Sequence, residues 1–223
     1  MINPPSGNVT FLFTDIEGST RLSQEFPDTI QAAIDKHHLI MHNAIESNNG
    51  FVFEIIGDAF CCAFEKAEDA VKAAVIAQKN LANEKWDDVV IKIRIGIHSG
   101  AAEWGGKRYM GYITLERTAR LMSAAYVEQI IISNDVYLSA RDNISSNISF
   151  RDLGERRLKD LIQPIRLFQI LAEGLREDFP PLKTLDARPN NLPVQLTSFI
   201  GREEEMKQIK NLLKQTHLLT LLG

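Results

Sequence analysis

The sequence predicts an α+β domain in which a largely antiparallel sheet carries its helices on one face. Three observations point there. Short apolar runs with strand character recur along the chain, beginning at residues 9–13. Two of them, 51–56 and 59–64, are separated only by Gly57 and Asp58, the spacing of a hairpin. Stretches with apolar residues at helical spacing alternate with these runs, so the order reads β-α-β-β-α-β with additions.

The first run leads through Asp15 into a Gly18-Ser19-Thr20 turn, and an amphipathic pattern starts near Arg21. Ser19 or Thr20 is the expected cap of that helix. Residues 29–47 carry Ile30, Ala33, Ile34, Ile40, Met41, Ala44 and Ile45 at helical spacing, and Asn48-Asn49-Gly50 ends the helix. After the hairpin, 67–81 is an alanine-rich helix whose Ala70, Ala74 and Ala77 permit close packing on a sheet. Residues 89–97 alternate as a strand, 115–125 are helical, and 129–133 form a short buried strand. Asn134-Asp135 caps a short helix to Ala140, and 150–153 and 165–171 are the last strands. This is the ferredoxin-like arrangement.

Composition bounds the function. The 223 residues suffice for one full domain plus a fragment, and 44% apolar content is ordinary for a globular protein. A net charge of −4 gives no sign of a nucleic-acid surface. No apolar run approaches the roughly 20 residues that span a bilayer, so no membrane association is expected. The N-terminus lacks the basic-then-apolar pattern of a signal peptide. The only cysteines, Cys61 and Cys62, are strand neighbours facing opposite ways, which disfavours a bridge and suits a reducing cytoplasm. His37, His38 and His42 fall on a predicted helix and are expected on its solvated surface, with no third ligand in register for zinc.

Residues 11–20, FLFTDIEGST, carry the chemistry. Asp15 ends a strand beside a turn whose free backbone N–H groups suit phosphate oxygens. A carboxylate there is what a Mg²⁺-nucleotide site needs, because Mg²⁺ takes oxygen ligands shared between carboxylates and phosphates. Asp58 sits at the hairpin tip. If the hairpin lies beside the first strand, Asp15 and Asp58 converge on one or two metal ions. The competing reading is a Gly-Asp turn chosen for its backbone conformation alone.

In this order the motifs resemble the class III adenylyl/guanylyl cyclase catalytic domain. Later signatures agree: Arg94-Ile95-Gly96-Ile97-His98-Ser99-Gly100, then Thr118-Ala119-Arg120-Leu121-Met122, then Asp152-Leu153-Gly154 closing on Leu158-Lys159-Asp160-Leu161. The resemblance covers about residues 7–172 and implies a cyclase that takes ATP or GTP with Mg²⁺ or Mn²⁺. It implies that Asp15 and Asp58 bridge the metals, with the backbone carbonyl of Ile16 as a further ligand. Gly18, Ser19 and Thr20 would hold the β- and γ-phosphates, Lys159 the triphosphate, and Arg120 would meet charge building on the α-phosphate. Since such sites form between two subunits, a head-to-tail homodimer is implied.

The chain departs from the pattern at two places. Glu116 stands where the resemblance calls for a transition-state asparagine, and an ionised glutamate accepts hydrogen bonds without donating. Glu54 stands where adenylyl cyclases carry a base-reading lysine and guanylyl cyclases a glutamate, and the second base-reading position falls on Arg108 or Tyr109. Two functions therefore compete: an active purine nucleotidyl cyclase, or a degenerate cyclase-homology domain acting as a nucleotide-sensing or dimerisation module.

Composition changes after Leu171. Residues 173–193, with prolines at 180, 181, 189 and 193, read as a linker between a cyclase domain at 1–172 and a second segment at 194–223. There, Phe199-Ile200-Gly201-Arg202-Glu203 precedes a helix at 206–214 and a strand-like run ending at Gly223. This resembles the opening of a STAND/AAA-type signalling ATPase, cut before its phosphate-binding loop. The competing reading is a tail packed on the first domain.

Overall fold

The computed structural model describes residues 3–185 and one helix beyond them, Glu203–Leu213. The chain divides into two compact units, Met1–Arg188 and Pro189–Gly223. In the second, the described element is that helix; the Phe199-Ile200-Gly201-Arg202 motif, the run 217–223 and residues 186–193 lie outside the described residues.

The first unit is organised around β1 (Gly7–Ile16), with α1 (Ser19–Glu25) and α2 (Ile30–Glu46) leading to the hairpin β2 (Phe51–Ile56) and β3 (Ala59–Phe64). Next come α3 (Ala67–Asn83), β4 (Ile93–Trp104), the two-residue β5 (Tyr109–Met110) and α4 (Tyr112–Ala124). The unit continues through β6 (Ile130–Ser133), α5 (Asn134–Ala140), β7 (Ile148–Arg156) and β8 (Ile165–Ala172); the helix of the second unit is α6 (Glu203–Leu213). The strands form one mixed sheet in the order β2-β3-β1-β4-β6-β8-β7, with β5 on the side of β4. Every neighbour pair is antiparallel except β4 and β6. The α+β class and the hairpin bounds agree with expectation.

The helices do not all share one face. Leu12, Ile16, Phe60, Phe64, Ile95, Ile97, Ile130 and Ile132 pack against α2, α3 and α5. Val9, Phe11, Ala63, Ala102 and Tyr109, with Leu115 of α4, build a core on the opposite face. Leu121 and Ala124 of α4 extend that side over Ile131 and Leu167. Gly96 makes this possible: a Cβ there would lie 2.3 Å from the backbone nitrogen of Met122. Each fully buried Phe or Leu contributes about 1.5–3 kcal/mol, so both faces have a substantial hydrophobic anchor.

Three further expectations change. The strand expected at 89–97 begins at Ile93 and runs to Trp104; Val89 and Ile91 are buried without joining the ladder. The histidines of α2 divide: His42 meets Glu46 at 3.0 Å on the exposed surface, but the other two do not simply face solvent. His37 is fully buried, and the rings of His37, His38 and His42 stand edge-on to Phe60 at 5.3–5.5 Å. Burial, with His38 next, pushes the His37 pKa down to about 4. Finally, residues 173–185, expected as linker, are laid along the first unit. Gln169 and Arg151 both donate to the Glu177 carbonyl, Tyr126 donates to that of Pro181, and Leu182 is buried beside Leu121 and Leu158.

Candidate active site

The end of β1 collects one half of the site. The paired register of β1 and β3 stops at Phe13 and Cys61. Beyond it, side chains replace the ladder. Phe60 N–H donates to Thr14 Oγ1 at 3.1 Å, and Ile16 N–H donates to Asp58 Oδ2 at 3.0 Å. Gly57, at φ 63°, supplies the left-handed residue of the hairpin turn. Asp58 is thereby drawn to the strand that carries Asp15. Asp15 itself faces Arg94 across the β1–β4 ladder. Arg94 Nε and Nη2 both donate to Asp15 Oδ2, at 2.8 and 2.6 Å, while Nη1 reaches the Ser123 carbonyl of α4 at 3.2 Å. Sequence reasoning quoted Arg94 only as part of a motif; strand register, not spacing, makes it a partner of Asp15.

The turn after Asp15 differs from expectation in its cap. Gly18 is the N-cap of α1, at φ 67°, and neither Ser19 nor Thr20 makes a side-chain capping bond. Both instead occupy the first turn of α1. A small cavity opens here between Asp15, Glu17, Gly18, Arg94 and Lys183. Lys183 belongs to the 173–185 segment, and its ammonium lies 4.6 Å from the Tyr126 ring centre.

A divalent cation fits the donor chemistry at this strand end. Asp15, Asp58 and the Ile16 carbonyl offer oxygen only, the donors Mg²⁺ and Mn²⁺ prefer. Each carboxylate keeps its Oδ1 clear of hydrogen bonds among the described residues. Among those residues no group of three or more His, Cys, Asp or Glu gathers as a self-sufficient metal site. Two carboxylates completed by phosphate and water is the usual Mg²⁺-nucleotide pattern.

The second cluster stands on α4 and the turn after β7. Arg120 Nη2 lies 2.8 Å from Asp160 Oδ2 and 3.9 Å from Glu116 Oε1, one helical turn earlier. Arg120 Nε is buried with no acceptor. Lys159, directly before Asp160, is exposed. Arg120 thus stands between Glu116 and Asp160, a carboxylate the sequence does not single out, and Lys159 precedes Asp160 in the chain. Among the described residues no hydrogen bond or ion pair links Arg120, Glu116 or Lys159 to Asp15 or Asp58.

The base-reading positions separate cleanly. A bulge between Val52 and Glu54 breaks the β2–β3 register, so Val52 pairs with Cys62 but Glu54 pairs with Cys61. Cys61 also pairs with Phe13, on the face where Phe11, Phe53 and Tyr109 pack with Leu115 of α4. The bulge therefore turns the exposed Glu54 toward the α4 face. Burial, and then the Glu54 charge, push the Cys61 thiol up to about 12. Tyr109 is a core residue: it is 5% exposed, sits 4.9 Å from both Phe11 and Phe53, and donates its hydroxyl to the Pro5 carbonyl. That leaves Arg108, exposed in the β4–β5 loop, as the accessible one of the two alternatives.

The family described as Adenylate and Guanylate cyclase catalytic domain matches residues 1–171. The chain belongs to this family. An uncharacterised protein of Mycobacterium tuberculosis is 33% identical over 206 residues, covering 91% of this chain and 70% of its own. A receptor-type adenylate cyclase of Trypanosoma brucei brucei is 24% identical, covering 75% of this chain but 17% of that much longer protein. Among solved structures, a Trypanosoma brucei adenylate cyclase in its monomeric state superposes with a TM-score of 0.69 at 22% identity, covering 80% of this chain and 94% of that one. The guanylate cyclase domain of a Catenaria anguillulae protein, solved in complex with GTP, gives 0.64 at 22%, over 74% and 97% of the two chains. These likenesses establish the fold. No helix among the described residues is long and apolar enough to cross a membrane.

Proposed function

We propose that this chain is a nucleotidyl cyclase that converts a purine nucleoside triphosphate to its 3′,5′-cyclic nucleotide and pyrophosphate. The observation that carries the reading is the end of β1, where Asp15 and an Asp58 fixed by the Ile16 N–H flank the turn at Gly18. In the reaction the ribose 3′ oxygen attacks the α-phosphorus. The O3′–P bond forms as the bond to the β-phosphate oxygen breaks; the electron pair leaves with pyrophosphate and the hydroxyl proton passes to solvent.

Asp15, Asp58 and the Ile16 carbonyl are the groups that would hold Mg²⁺ or Mn²⁺, which acidifies the attacking hydroxyl and offsets triphosphate charge. Backbone N–H groups of Gly18, Ser19 and Thr20 take the β- and γ-phosphates. Arg120 meets the charge that grows on the α-phosphate, and Lys159 neutralises the triphosphate. Among the described residues no hydrogen bond or ion pair joins the acidic and cationic clusters, which supports a head-to-tail homodimer with composite sites. Glu54 on the α4 face accepts from guanine N1–H and N2–H, whereas adenine N1 is itself an acceptor, so GTP is the preferred substrate.

Incubating the purified protein with GTP or ATP and Mn²⁺ tests the reading. Cyclic product is expected, falling at least 100-fold in Asp15→Ala, whose fold should persist because the side chain is peripheral to the core. Full activity in Asp15→Ala would overturn the metal assignment. Glu116 beside Arg120 favours a second reading, a nucleotide-sensing or dimerisation module: an acceptor where a donor is wanted weakens transition-state binding. Saturable nucleotide binding without cyclic product would select it.

A further inference from the structure

We infer that Asp160 is the positioning residue of Arg120, a role that rests on the cyclase reading above. Arg120 Nη2 forms an ion pair with Asp160 Oδ2 at 2.8 Å, while Glu116 stands off at 3.9 Å. The carboxylate on the turn, not the one on the helix, is the arginine's tether. Asp160 also holds φ at 63°, a left-handed conformation that non-glycine residues adopt rarely and that recurs at functional sites. Glycine would relieve that conformation at once, yet a carboxylate occupies it.

The surroundings show why a tether there matters. Leu158 is buried against Leu121 of α4, the Leu161 N–H closes the turn onto the Leu158 carbonyl, and the Leu185 N–H donates to the Arg157 carbonyl. The turn is therefore fixed to the helix that carries Arg120. Arg120 has one nitrogen, Nη2, paired with Asp160, and its buried Nε has no acceptor among the described residues. A guanidinium held through one nitrogen with its other donors unspent is preorganised for an anion, because less orientation has to be found during the reaction. Lys159 precedes Asp160 directly, so one turn sets the position of both cations.

Two variants divide the possibilities. Asp160→Asn tolerates the left-handed backbone but removes the charge; Asp160→Gly relaxes the backbone and removes the side chain. The Arg120 side-chain Nε–H resonance, assigned by its loss in Arg120→Lys, should exchange slowly in the full chain and markedly faster in both variants. In the cyclase assay both should lower kcat about tenfold with little change in KM, at a Tm within about 2 °C of the parent. An exposed ion pair with no role would leave the resonance and kcat unchanged, and that result overturns the inference. If the parent protein makes no cyclic nucleotide but the resonance responds as expected, the tether stands and the cyclase reading fails. If cyclic nucleotide is made and neither variant alters kcat, the cyclase reading stands and the positioning role fails.

Discussion

The two charged clusters of this domain are held in place by different means. At the end of β1, position comes chiefly from the main chain: a strand ladder, the Ile16 N–H on Asp58, and the Phe60 N–H on the Thr14 hydroxyl, to which Arg94 adds a side-chain pair on Asp15. On α4, position comes from side chains: Arg120 is tethered to Asp160, and Lys159 stands exposed beside that pair. Geometry fixed by backbone pairing resists substitution of its neighbours, whereas geometry fixed by an ion pair follows the identity of one carboxylate. The carboxylate half should accordingly fail only when a ligand or a strand tie is removed, and the cationic half should respond to modest changes in charge.

The largest expected effect separates the halves into different chains. Asp15→Ala and Arg120→Ala, each inactive, should regain about a quarter of parental activity when mixed in equal amounts, since half of random dimers are heterodimers with one intact site. Demonstrated heterodimers without activity would refute shared sites. Next comes base choice. Glu54→Lys should move the GTP-to-ATP preference by tenfold or more, because a stranded buried acceptor costs about 1–3 kcal/mol; strong ATP preference in the parent would contradict it. A smaller effect is expected from Thr14→Val, which leaves the Phe60 N–H unpaired. It should cost about 1–3 kcal/mol in denaturant unfolding and weaken Mn²⁺ binding several-fold, as read by calorimetry.

The smallest effect is structural. Burial lowers the pKa of His37 to about 4, with His38 adding to it, and that of His98 to about 4, where Asp135 raises it and Arg117 lowers it. The unfolded chain takes up these protons as pH falls through about 6.5, while the folded protein does not until about 4. Stability should be full above pH 6.5 and decline between 6.5 and 4, by at most about 3 kcal/mol per histidine. His37→Leu should flatten that decline and, by removing two unpaired ring nitrogens, raise stability by about 1 kcal/mol at neutral pH. A pH profile of Tm identical to the parent's would exclude His37 as its source.

The same division decides what could be read from the sequence. The hairpin bounds, with Asp58 at the tip, were legible because a two-residue turn between apolar runs admits few geometries. The arginine's tether was not, since Asp160 and Arg120 meet only after β7 and α4 have packed. His37 misled because helical spacing locates a face without saying what covers it; here Phe60 does. Tyr109 misled because spacing across a loop does not reveal the aromatic cluster it enters. Residues 173–185 lack periodicity and so resemble a linker, yet backbone carbonyls and one buried leucine suffice to moor them.

The extra residue in β2 turns specificity into a matter of parity. Side chains alternate sides along a strand, and the bulge absorbs one extra residue by setting Phe53 and Glu54 together on the side of Cys61, so both flanks keep their faces. With Phe53 kept and the bulge lost, Phe53 would pair with Cys61 and Glu54 would fall opposite Phe60, on the side of Val52; deleting Phe53 would instead leave Glu54 paired with Cys61. A lineage carrying this domain could therefore lose the codon for Phe53 and keep its carboxylate on the α4 side, whereas one more residue that the bulge did not absorb would turn that carboxylate away with no change to either aspartate or to the arginine.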